Sequence, residues 1–309
     1  MRLHKKFVIS VLGAAISWAG YAQADAAKPI SKPENLVATI EGFAQPESVE
    51  ADVSRNYLYV SNIAGHPLEE DGIGYISRVR PDGSGLEVKW VEGLHAPKGL
   101  ALDGKRLYVA DLKELVVIDV EKGKVIARYP VADAKMLNGI AISPEGQVYV
   151  SDFFGNTLYQ LTDGELTPWI QSSQLDTPNG LSISGDQLTV VTWGSDIQED
   201  FSTKSPGHIL QVSLKNGKLG TLTNTPRGNW DGVVDVGGQW LVSNWLSGEV
   251  VSVGVNGETD KVLQLNPGSA DLGWNSESGI LWVPEMQLGR VTGYRIDPLA
   301  LDGTRVGKN

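Results

Sequence analysis

The chain has 309 residues, 41% hydrophobic and 20% charged, a globular balance that excludes a disordered or fibrous protein. Its formal net charge of −11 makes it a poor match for nucleic-acid phosphates or an anionic membrane surface. With no cysteine and only four histidines, it excludes disulfides, thiolate metal sites, cysteine nucleophiles and a lipidated cysteine, and it disfavours a multi-histidine metal cage.

Arg2, Lys5 and Lys6 give a positive start, Phe7 to Ala19 is apolar, and Ala22-Gln23-Ala24 is a small-x-small cleavage signal. This layout is read as a secretory signal peptide over residues 1–24. The apolar run is short of the ~20 residues that a membrane span needs. Cleavage after Ala24 leaves 23 basic against 37 acidic residues, a net charge of −14. The expected product is periplasmic or secreted, not a lipoprotein, and has no membrane attachment after cleavage. Residues 25–34 read as a linker, 35–299 as one domain and 300–309 as a tail.

The domain repeats. Six segments open with a short polar step and rise to an aliphatic-aromatic strand. The openings are Pro46-Glu47-Ser48, Pro97-Lys98-Gly99, Leu137-Asn138-Gly139, Pro178-Asn179-Gly180, Trp230-Asp231-Gly232 and Ser269-Ala270-Asp271. Their spacings are 51, 40, 41, 52 and 39 residues. Period-2 alternation bounded by Gly, Asn and Asp indicates strands. A second hairpin follows in each repeat, marked by Asp82-Gly83, Lys122-Gly123, Asp163-Gly164, Asn216-Gly217 and Asn256-Gly257. A repeat of four strands in about 40 residues is a propeller blade. The sequence therefore predicts an all-β, six-bladed β-propeller of four-stranded antiparallel blades. The last repeat has three strands, so Leu36 to Ile40 is expected to join it and close the ring. A β-sandwich is the alternative, disfavoured by six in-phase repeats.

In such a blade the six openings and the loops after each second strand share one face. The long spacings place extra residues in two of these loops, Ala64 to Gly74 and Gly194 to Gly207. Long loops on a rigid scaffold commonly carry binding function. Glu47, Lys98, Asn138, Asn179, Asp231 and Ala270 should face the channel mouth. Two carboxylates and two carboxamides offer hard oxygen ligands, which suits Ca²⁺ better than Zn²⁺ or Mg²⁺, with another divalent metal as the alternative. The competing reading is that these Asn-Gly and Asp-Gly pairs are only turn formers.

This ordered set resembles the gluconolactonase and regucalcin (senescence marker protein) family, within a group that includes paraoxonases and diisopropylfluorophosphatase. The resemblance implies a central catalytic calcium. It implies Glu47, Asn179 and Asp231 as metal ligands, Asp231 also as proposed base, and Asn138 on metal or substrate. Met136 stands where sugar lactonases often carry a substrate-gripping arginine, which implies a less polar substrate or one other than an aldonolactone. The paraoxonase-type histidine pair is not evident: His66, His95 and His208 read as loop or surface residues. Lys98 and Trp193 are further substrate-side candidates. Trp230 and Trp245 are candidates for the mouth or for inter-blade packing.

The expected activity is metal-assisted hydrolysis of a small lactone or ester. The alternatives are phosphotriester hydrolysis on the same metal, or a non-catalytic binding propeller with structural calcium. No nucleic acid and no obligate protein partner is expected.

Overall fold

The computed structural model describes residues 35–198, 200–223 and 227–301. The signal-peptide, cleavage and linker readings of residues 1–34 lie outside them, as do 302–309 of the tail. The rest forms six four-stranded antiparallel sheets set in a ring, a six-bladed β-propeller. The innermost strands are Pro46–Asp52, Pro97–Asp103, Leu137–Ile142, Pro178–Ser184, Trp230–Asp235 and the short Gly273–Asn275. Each touches its neighbours around a central channel.

Burial follows position in the blade. The second strands, such as Tyr57–Asn62 and Arg106–Asp111, are almost wholly buried because a neighbouring blade covers each face. The outermost strand Lys124–Pro130 alternates half-buried with exposed residues, as expected of a strand with one solvated side. The core therefore lies between blades. One cluster joins Tyr108, Ala110 and Leu115 of the second blade to Leu137, Ile140 and Val150 of the third.

The ring closes as the missing strand predicted. Leu36–Glu41 is the outer strand of the sixth sheet, with Ile40 opposite Val291. Ile40 and Val291 pack with Trp282, which is 1% exposed, so the closure buries apolar surface as well as pairing an edge.

The outer hairpins turn on left-handed residues, for instance Asp163 at φ 51° and Gly164 at φ 81°. The first long connection is a loop between Asn62 and Gly74. The second differs from the expected loop: Gly194–Ile197 and Thr203–Pro206 pair as a two-stranded hairpin, with Gly194 opposite Pro206. No helix among the described residues is long and apolar enough to cross a membrane.

Candidate functional site

The six opening residues form the floor of the site. Glu47, Lys98, Asn138, Asn179, Asp231 and Ala270 are all buried. The glycines beside them explain how the side chains converge. Gly99, Gly139, Gly180 and Gly232 do not have positive φ, so they are not turn formers. A Cβ on Gly139 would lie 2.3 Å from the Asn179 carbonyl oxygen, and one on Gly180 2.4 Å from that of Asp231. Glycine is needed because consecutive inner strands approach backbone to backbone. The turn-chemistry alternative therefore fails at the three Asn-Gly and Asp-Gly pairs, Asn138-Gly139, Asn179-Gly180 and Asp231-Gly232.

Hydroxyls lock the same contacts. Ser151 Oγ accepts from Gly139 N at 2.8 Å and donates to Asn179 O at 2.7 Å. Ser243 Oγ accepts from Gly232 N and donates to Ala270 O, both at 2.8 Å. Where the sixth blade meets the first, the glycine positions hold Asp271 and Ser48. Ser48 Oγ donates to Asp271 Oδ2 at 2.9 Å, and Asp271 N donates to Glu47 O at 2.9 Å.

The floor concentrates charge where water is scarce. Burial, then the nearby Asp231 and Asp271, push the Glu47 carboxyl well above its usual range. Burial and Asp271 do the same to Asp231, opposed by a hydrogen bond from Asn179 and by Lys98. Burial brings Lys98 down to about 8, against the pull of Glu47, Asp111 and Asp231. Its ammonium donates to Ala96 O at 2.9 Å and Pro67 O at 3.0 Å, tying the first long loop to the floor.

Two floor oxygens, Glu47 Oε2 and Asn179 Oδ1, are buried without a hydrogen-bond partner. Asn179 Nδ2 donates to Trp230 O at 3.4 Å. Orphaned acceptors beside a second carboxylate are a fit for a hard cation, which would satisfy all of them. Among the described residues no three His, Cys, Asp or Glu side chains cluster into a metal-binding group. The donor set that fits is mixed, two carboxylates with carboxamides.

Above the floor stands a second ring. Ile63, Leu112, Phe153, Trp193, Trp245 and Met286 occupy the position just after the second strand in all six blades. They pack as one buried cluster with Met136 and Ala270. The same backbone bond seats most of them: Phe153 N donates to Met136 O at 2.9 Å, Trp193 N to Thr177 O at 2.9 Å, and Trp245 N to Asn229 O at 3.1 Å. The polar residue before most of them caps nearby backbone. Asp111 accepts from Ala96 N at 2.8 Å, and Asp152 from Met136 N at 2.8 Å. Trp193 Nε1 donates to Phe201 O at 2.8 Å, which fastens the inserted hairpin to the collar.

The structure thus brings Glu47, Lys98, Asn138, Asn179 and Asp231 together on the floor, with Met136, Trp193 and Trp245 in the collar. Ala270 offers no donor. Trp230 packs between blades with Val191, Ile209 and Trp240 instead of lining the mouth. His66 Nδ1 accepts from Leu68 N within the first loop, at 3.3 Å. The backbone nitrogens of His95 and His208 bond to Asp111 and Thr192.

Sequence reasoning passed over two acids. Asp271 lies at a position where glycine recurs, and burial pushes it up to about 7. Glu50, three residues down the inner strand, is pushed up to about 8 by burial and by Asp271. Both border a cavity of about 310 Å³ at the far end of the channel, which accounts for their partial exposure. The collar was also legible in part, as a recurring polar–apolar pair: Asn62-Ile63, Asp111-Leu112, Asp152-Phe153, Thr192-Trp193, Asn244-Trp245 and Glu285-Met286.

No protein-family model matches the chain, and no curated protein matches it in sequence. Solved structures do match. A gluconolactonase from Xanthomonas campestris is similar at TM-score 0.63 and 18% identity, over 82% of this chain and 87% of that one. A chain of a nidogen–laminin complex is similar at TM-score 0.56 and 18% identity, over 70% and 79%. A virginiamycin B lyase from Staphylococcus aureus is similar at TM-score 0.56 and 11% identity, over 84% and 99%. At these identities the likeness carries the propeller fold, which hosts both enzymes and binding proteins.

Proposed function

We propose that this protein is an exported calcium-dependent hydrolase of small lactones or esters. The observation that carries the reading is the pair of buried oxygens without partners, Glu47 Oε2 and Asn179 Oδ1, in a ring that also holds Asp231 and Asn138. Glu47, Asn179 and Asp231 would hold the ion, with Asn138 on the ion or the substrate. When bound, Ca²⁺ supplies Lewis-acid polarisation of a carbonyl and stabilises the developing oxyanion.

The chain's own residues do the rest. Asp231 orients water and accepts its proton at a carboxylate oxygen. Burial raises its affinity for that proton, whereas a bound cation lowers it, so its roles as ligand and base pull in opposite directions. Lys98 has two N–H groups on carbonyl oxygens, and its third remains for an anionic or carbonyl oxygen of the substrate. The apolar collar limits water at the reacting centre. Similarity to a gluconolactonase agrees with this reading at the level of fold.

The test is proton release from a panel of lactones by chelator-stripped protein, before and after Ca²⁺ is restored. Turnover that requires Ca²⁺ is the expected result. No turnover by folded, Ca²⁺-restored protein on lactones or esters would overturn the reading. Phosphotriesters would then be assayed, with a binding propeller as the remaining outcome.

A further inference from the structure

The collar is apolar throughout but not symmetric. On the first and second blades it is formed by Ile63 and Leu112, close to the charged Glu47 and Lys98 openings. On the third to fifth blades it is aromatic. There the rings run in an unbroken file: Trp245 to Trp193 at 5.9 Å between centroids, Trp193 to Phe153 at 5.7 Å, and Phe153 to Phe154 at 4.8 Å. The first three rings are buried, at 7% for Trp245, 5% for Trp193 and 2% for Phe153, and only the last, Phe154, reaches solvent, at 41%. The file thus leads from the buried collar out to solvent over the third blade.

Two features show what the file suits. Trp193 Nε1–H is already bonded to Phe201 O, so it is not free for a substrate hydroxyl. Met136, packed in the same collar, is an apolar side chain beside the Asn138 opening. A polyhydroxylated ring would lose water contacts here without replacing them. An alkyl or aryl group is matched by the ring surface it meets, most of it at Phe154.

We infer that the file Trp245–Trp193–Phe153–Phe154 is a subsite for an alkyl or aryl substituent on the substrate, which leaves the floor over the third blade and crosses Phe154 at the rim. The inference rests on the hydrolase reading for the floor to which the file is attached. It commits the substrate to a small ring or ester with one hydrophobic arm. Phe154 is then a specificity-determining residue that touches the far end of that arm.

The test separates binding from turnover. Six-membered lactams bearing methyl, butyl or heptyl chains are titrated into the Ca²⁺-loaded protein by calorimetry. Affinity should rise about fourfold for each methylene buried against the file. Phe154→Ala should flatten that rise for the longest chain. Val255→Ser, at an exposed residue in an outer-strand loop, should leave the slope as it is. Affinity independent of chain length in the unmodified protein would overturn the inference, whatever Phe154→Ala does. If lactones are hydrolysed at rates indifferent to chain length, the subsite fails and the hydrolase stands. If long-chain lactams bind tightly but no lactone is cleaved, the subsite stands and the hydrolase fails.

Discussion

The polar floor and the apolar collar occupy equivalent positions in all six blades, yet they obey different rules. Collar residues are uniform in kind: all six are large and apolar, and most share one backbone seat. Floor residues are non-uniform, two acids, one base, two amides and an alanine, although they stand at equivalent blade openings. A position that serves only packing tolerates exchange among residues of similar volume. Six unlike side chains on equivalent strands are explained by a shared ligand better than by packing.

The largest effect should come from disturbing the floor while sparing the collar. Gly180→Ala places a methyl group 2.4 Å from the Asp231 carbonyl oxygen. We expect a loss of about 3 kcal/mol in chemical denaturation, and a parallel loss of Ca²⁺ affinity by calorimetry. Asp231→Asn keeps the shape and removes one charge. It should lower kcat/KM by about 100-fold in the proton-release assay with the fold intact. A variant that binds Ca²⁺ and keeps the full rate would rule out Asp231 as base.

The acids of the channel give a pH signature. Asp271 and Glu50 have native values of about 7 and about 8, above their unfolded values. Between pH ~4 and pH ~8 the folded state therefore holds protons that the unfolded state has released, so stability falls as pH rises through that window. Lys98, lowered to about 8, acts in the opposite sense above that point, since the folded state gives up its proton first. Chelator-treated protein should show its melting temperature falling from about pH 5 to about pH 8. Added Ca²⁺ should raise it most near the upper end. A flat profile without metal would contradict the crowding of charge on the floor.

A smaller effect separates the two kinds of opening. Ser48→Gly converts the first opening to the glycine type and removes the hydrogen bond to Asp271. The expected loss is about 1 kcal/mol by thermal denaturation. Ca²⁺ affinity should change little, since Ser48 is not a ligand.

Much of this was legible in the chain. The repeat spacing and the hairpin pairs such as Asp163-Gly164 predicted the blades, because the turn conformation is a local property of those residues. The gap in the last repeat predicted the closing strand at Leu36–Glu41. Glu47, Asn138, Asn179 and Asp231 stood out because equivalent strands carried unlike polar residues. Asp271 did not, since it lies one residue off that register and its effect depends on which opening it faces. Trp230 could not be told from Trp193 and Trp245 by sequence, because alternate positions near a blade opening face either a neighbouring blade or the mouth.

The sequence by itself determined the strands, their number and the order of donor residues around the ring, because these follow from periodicity and turn chemistry within each repeat. Tertiary structure alone decided the tightness of the ring. It set Gly139 and Gly180 against the carbonyl oxygens of the next opening, and it left Glu47 Oε2 and Asn179 Oδ1 buried without partners. It also folded the second long connection into a hairpin pinned by Trp193, and aligned four aromatic rings from three blades into one path. Apart from Trp193–Phe201 and Phe153–Phe154, these are contacts between residues far apart in the chain, fixed by how six blades pack around one axis.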